Sequence, residues 1–344
     1  MYYIEAPNKE PIDIPSHERY RKYGTSHTLN MEEVEQTDSV IIVPEGCATW
    51  IFAYQKCKKV LWWMSVDNFI INEELVGFDF FDNLKQEVSL HLVQSQYAYQ
   101  YLLQRGISSK DILYVSDYIG ENYGRFQLPE TYRKNIALYN PRKGNSQAIQ
   151  PLIDQTSWLK WIPLRNYTEE EMIALMEISK LYIDFGTHPG KDRIPREAAS
   201  CGCCIVTNRK GSANFYEDIP IPDCYKINNN PIDYTQTAQL LLDICMHWGE
   251  HNRQFDYYRQ SIASEREKFS KGERQLPFFR ENGILMSNQV QRGRGEAGKK
   301  MLHQAFVKVY TKFKLHFYQE IFRRFQDREA SLTTMETFCM ESIQ

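Results

Sequence analysis

The sequence predicts an α/β protein built from two parallel-sheet domains that face each other across a cleft, followed by a C-terminal helical extension. Three observations carry this. Short apolar runs alternate with helical segments, and these runs are apolar throughout, as strands of a sheet covered on both faces must be. The alternation stops in a polar stretch near 120–134 and then starts again. The polar residues that could do chemistry fall just after the predicted strands, where such sheets bind ligands.

Residues 1–37 are polar and loop-like. Ser39–Pro44 forms a first strand and ends at a proline. A helix is expected from about Ala48 to Gln55, with Thr49 as a candidate cap. Lys59–Ser65 is a second strand, with Trp62 and Trp63 assigned to the core. A third strand, His91–Gln94, runs into a helix over Tyr97–Arg105 that Gly106 closes. Asp111–Val115 is the fourth. After the linker come a strand at Asn135–Tyr139, a loop at Asn140–Gly144, a helix near 146–154 and a strand at Leu159–Ile162. Thr168 and Glu171 form a capping box. Its helix leads to strand Leu181–Phe185, the loop and helix of 188–202, strand Cys204–Thr207, and helices near 233–248 and 252–268. This organisation suggests two Rossmann-like domains, 1–133 and 134–270, and a helical tail, 271–344.

With 344 residues there is enough chain for two cores. A net charge of -3 argues against a polyanion such as nucleic acid as partner. The eight cysteines form no paired CxxC motif and no Cys–His zinc spacing. Cys201, Cys203 and Cys204 therefore read as buried free thiols. The N-terminal residues lack the charged and apolar regions of a signal peptide, and no apolar run of membrane-spanning length occurs. A cytoplasmic location is the expectation, with no metal and no cofactor.

The most informative stretch is His188-Pro-Gly-Lys-Asp-Arg-Ile-Pro-Arg-Glu-Ala-Ala-Ser-Cys-Gly202. It reads as a glycine turn, two cations and a helix start. A helix N-terminus offers free N–H groups and partial positive charge to a diphosphate. Lys191 and Arg193 can add full charges. Glu197, one turn in, can accept both hydroxyls of a ribose, or simply favour the helix dipole. Arg142 and Lys143 suit either phosphate contact or an exposed turn. Glu45 and Asp67 follow N-terminal-domain strands and are candidate bases, as is His188. Glu45 could equally cap a helix, and Asp67 could belong to an Asx turn. Gly293–Gly298 matches GxGxxG, but no buried strand precedes it.

Glu197-Ala-Ala-Ser-Cys-Gly202 and its following strand resemble the donor-domain turn of the GT-B glycosyltransferases. Arg209-Lys-Gly-Ser212 resembles the small-residue loop that comes next in that family. Asn140–Gly144 resembles the basic glycine loop of the same domain, and Ser95–Ala98 the last strand-to-helix crossing of the acceptor domain. The resemblance covers roughly residues 38–268. It implies sugar transfer from a nucleotide-sugar donor to a glycan or lipid-linked glycan, without a metal, in polysaccharide biosynthesis. It implies that Glu197 binds the ribose, that Arg142 and Lys143 face the diphosphate with Lys191 or Arg193 nearby, and that Gly190 and Ser212 line the donor. Retaining members often carry another Glu eight positions before the ribose Glu; here Pro189 stands there, so retention is not implied. A sugar-nucleotide epimerase of the same fold and a non-catalytic sugar- or partner-binding protein are the alternative readings.

Residues 299–325 lack Gly and Pro and read as one long helix. Leu302, Phe306, Val309, Phe313, Phe317 and Ile321 make one apolar stripe among lysines and arginines. Such a helix can lie on an anionic membrane surface, placing the protein at the inner face of the membrane. The same stripe can instead pack on the protein or on a second subunit.

Overall fold

The computed structural model describes residues 34–275 except 78, 143, 144, 229 and 230. Lys143, Gly293–Gly298 and the stripe of 299–325 lie outside the described residues. The described chain holds two parallel sheets. The first has the order β1 (Val40–Pro44), β2 (Lys58–Trp63), β3 (Leu90–Val93), β4 (Ile112–Tyr114). The second has the order β6 (Lys160–Pro163), β5 (Lys134–Tyr139), β7 (Ser179–Asp184), β8 (Cys204–Asn208), β9 (Lys226–Ile227). Every pairing within them is parallel.

In the first lobe β1 passes into a 3-10 helix, Glu45–Ala53, kinked at Cys47, rather than an α-helix beginning at Ala48. Pro44 occupies the capping position, so Thr49 caps nothing. Two helices were not anticipated: α1 (Val66–Val76), capped by Ser65, and α2 (Phe80–Glu87). Helix α3 (Gln96–Gln104) is capped by Ser95, whose hydroxyl accepts from the Ala98 N–H. The three helices pack on one face of the sheet. Trp63, Phe69, Phe81 and Leu84 lie at the centre of that core. Trp63 is fully buried and donates to His91 Nδ1 at 2.9 Å. Trp62, by contrast, lies on the other face, half-buried, and donates to the Val115 carbonyl.

In the second lobe α4 (Asn145–Gln155) and α5 (Glu169–Ile178) flank the sheet, and the Thr168–Glu171 capping box is formed in full. Helix α6 (Arg193–Ser200) precedes β8, and α7 (Tyr234–Met246), α8 (Trp248–Arg253), α9 (Asp256–Ala263) and α10 (Glu265–Gln275) complete the described chain. The single helix expected over 252–268 is thus broken, and α10 carries the chain back to the first lobe. There Phe269 joins the second face of the first sheet.

Cys201, Cys203 and Cys204 are free and buried, and burial pushes the Cys203 and Cys204 thiols up to about 12. Arg133, which ends the linker, is also buried. Its guanidinium donates to the carbonyls of Ser179 (2.7 Å) and Cys201 (2.6 Å) and stacks on Trp248. Gly202 has φ 93°, and any Cβ there would overlap that guanidinium, so this turn needs glycine twice over. Among the described residues no helix is long and apolar enough to cross a membrane.

Candidate functional site

The carboxyl ends of β2, β3 and β4 meet loops of the second lobe, each through its own contact. At β2 the Val66 N–H donates to the Pro189 carbonyl at 2.8 Å. Gly190 lies against the Met64 carbonyl so closely that a Cβ would fall inside the oxygen's contact radius. Behind it, Ser212 donates its hydroxyl to the Gly190 carbonyl (2.6 Å) and its N–H to that of His188 (2.8 Å). Residues 188–190 are therefore held between the β2 end and the turn at 211–212. Gly190→Ala must push main chain from main chain, and is expected to destabilise by about 1–3 kcal/mol, measured as a lowered urea midpoint.

Glu45 sits at the same end. It is buried, and its carboxylate accepts the Met64 N–H at 2.9 Å. Burial raises its pKa, partly opposed by hydrogen bonds from Met64 and its neighbours. Asp67, in the first turn of α1, accepts from the Tyr97 hydroxyl at 3.0 Å and so ties α1 to α3. His188 is completely buried between Asp184 and Asp192. Burial disfavours its charge, but Asp192 and Asp184 outweigh this and raise its pKa.

At β3 the tie is Asp218. Its two oxygens accept the N–H groups of Gln96 (2.7 Å) and Tyr97 (3.0 Å), so a carboxylate of one lobe caps a helix of the other. Burial lifts its pKa to about 6, against those hydrogen bonds. A folded pKa above the unfolded value means that protonation favours folding. The stabilisation is complete below the unfolded pKa of 3.8 and is lost as pH rises through about 6. Roughly two units correspond to about 3 kcal/mol. Asp218→Asn is expected to flatten the stability profile between about pH 4 and 6 by that share, which denaturant midpoints across the range would measure.

At β4 lies a buried charge cluster. Lys191 donates to Ser116 (3.0 Å) and pairs with Glu265 (2.9 Å). Arg196 pairs with Glu265 and with Asp117, both at 2.8 Å. Burial lowers the Lys191 pKa, and Glu265 opposes that. The Lys191 charge is thus neutralised inside the protein.

Arg193 and Glu197 form a different pair on α6, with Nε donating to Oε1 at 3.3 Å. The Arg193 side chain is 57% exposed while that of Glu197 is 6% exposed. Burial raises the Glu197 pKa and Arg193 opposes it. Burial raises the pKa of Tyr123 in the linker, and the charges of Glu197 and Glu169 add to that. Arg142 stays exposed on the turn after β5, its N–H donating to Asn140 Oδ1. Among the candidates, then, Glu45, Gly190, His188 and Ser212 share one run of contacts, and Arg193 and Glu197 form a second group.

Sequence reasoning missed Asp218, Arg196, Asp117 and Glu265. Only Arg196 carried a signal, as the cation beside Glu197 on a helix whose next turn is apolar. Among the described residues no group of three or more His, Cys, Asp or Glu side chains is placed to hold a metal ion.

The two parallel-sheet lobes, joined at the carboxyl ends of their strands and by the last described helix, which returns to the first lobe, have the GT-B fold. Solved structures bear this out. TarM of S. aureus superposes with a TM-score of 0.53 at 14% identity, over 72% of this chain and 56% of that one. Sucrose-phosphate synthase from Thermosynechococcus elongatus gives 0.50 at 12% identity over 75% of each chain. The present chain thus spans a little over half the length of TarM. No protein-family model and no curated protein matches the sequence.

Proposed function

We propose that the protein transfers a sugar from a nucleotide-sugar donor to a glycan hydroxyl. The observation that carries this reading is the Arg193–Glu197 pair. A carboxylate withdrawn from water and an exposed guanidinium stand in the first turns of a helix that follows a parallel strand. That arrangement suits a ribose on Glu197, with its diphosphate toward Arg193 and the α6 N–H groups. Arg142 and Lys143, after β5, would extend the cationic side. A leaving nucleoside diphosphate needs such fixed positive charge, whether or not a metal assists. Lys191 serves the lobe contact instead, through Glu265.

For the acceptor, Glu45 and Asp67 remain the candidate bases, and the raised pKa of Glu45 favours proton uptake. Thermal-shift screening of nucleotide sugars, followed by detection of released nucleoside diphosphate, tests the proposal. A donor-induced shift with release supports transfer. A shift without release in the presence of any glycan acceptor points to a binding protein, and no shift with any donor overturns the reading.

A further inference from the structure

A cavity of about 480 Å3 lies at the carboxyl ends of β3 and β4. Its size falls within the range of about 300–1,000 Å3 in which small ligands are held. Gln94, Gln96, Tyr114 and Ser116 wall it from the first lobe, and Tyr258 and Ser261 from α9. Neither Arg193 nor Glu197 lines it, so it is separate from the donor position proposed above.

Two of these side chains are set up for a ligand. Tyr258 is 2% exposed, and its hydroxyl has no hydrogen-bond partner among the described residues. Buried polar groups are paired as a rule, so this hydroxyl calls for a partner that the described side chains do not supply. Tyr114 is 43% exposed although it lies at the end of a strand. Its ring stacks on Tyr99 with 5.3 Å between centroids, and its hydroxyl donates to the Gln96 side-chain oxygen. Held at both ends, the ring is a fixed aromatic surface in the cavity wall.

The charges around the cavity are balanced. Lys191 and Glu265 answer each other at 2.9 Å, Asp218 is held by the α3 amides, and Lys271 pairs with Glu267 at 2.7 Å. Glu217 and Lys268 remain, both exposed and of opposite sign. A phosphate-bearing ligand needs surplus positive charge, and this lining offers none. Hydroxyl and amide groups, which both donate and accept, suit a ligand rich in hydroxyls, and an aromatic face suits the C–H side of a sugar ring.

We propose that this cavity binds a neutral saccharide, with one sugar ring on Tyr114 and its hydroxyls paired with Tyr258, Ser261 and the amides of Gln94 and Gln96. The bound sugar touches both lobes at once. Binding there needs no nucleotide, so it is measurable whether or not the protein transfers a sugar.

The test titrates the full chain, without nucleotide, with di- and trisaccharides of glucose, galactose, mannose and N-acetylglucosamine, read by saturation-transfer NMR and calorimetry. At least one should bind. Tyr114→Ala should weaken that binding about tenfold. Tyr258→Phe should weaken it about three- to tenfold while leaving the melting temperature unchanged or higher, because the hydroxyl it removes has no partner in the free protein. Binding by none of these saccharides, binding that either substitution leaves unchanged, or a lowered melting temperature in Tyr258→Phe would overturn the proposal. So would binding of inorganic pyrophosphate that Tyr114→Ala weakens, which would make the cavity an anion site.

Discussion

Glu197→Ala is expected to abolish the thermal shift produced by the true donor while leaving the fold intact. A charged hydrogen bond contributes about 1.5–3 kcal/mol, and a ribose diol makes two of them. Affinity should therefore fall at least about 100-fold. At a donor concentration of 100 times the wild-type Kd, binding stabilises by about 2.7 kcal/mol; at the weakened Kd this drops to about 0.4 kcal/mol. The unliganded protein should lose little, because burial already disfavours the Glu197 charge and raises its pKa. Calorimetric titration measures the affinity and melting curves the fold. An unchanged donor affinity would remove Glu197 from the site.

The second large effect concerns Arg196. Its side chain is 1% exposed and faces two carboxylates, of which Glu265 is also buried. Removing one partner of a buried pair leaves an uncompensated charge and costs about 3–5 kcal/mol. Arg196→Leu should lose that much in urea unfolding, a large part of the stability of an ordinary domain. Arg196→Leu combined with Glu265→Leu should not recover the loss, since Lys191 then loses the carboxylate that answers its buried charge. A single-variant loss below about 1 kcal/mol would show that Lys191 alone suffices to answer the Glu265 charge.

Much of the fold was legible because the strands are buried on both faces and so appear as unbroken apolar runs, as in Cys204–Thr207. A cap was legible where the residue types have one local use together, as in the Thr168–Glu171 box, whereas the Ser95 cap went unread. Helix α1 was not, because Ile71, Leu75 and Val76 are exposed and blur the apolar stripe that Val66 and Phe69 begin. At the candidate site, the cations of 188–202 were visible but their partners were not. Nothing local distinguishes Lys191, whose charge answers Glu265, from Arg193, whose side chain is largely in solvent. Asp218 meets α3 across more than a hundred residues, and such pairings leave no spacing to read.

Three consecutive strand ends each hold the opposite lobe: Val66 to Pro189, the α3 amides to Asp218, and Ser116 with Asp117 to Lys191 and Arg196. Because the contacts sit at three neighbouring strand ends, sliding the lobes past each other or pulling them apart strains all of them together.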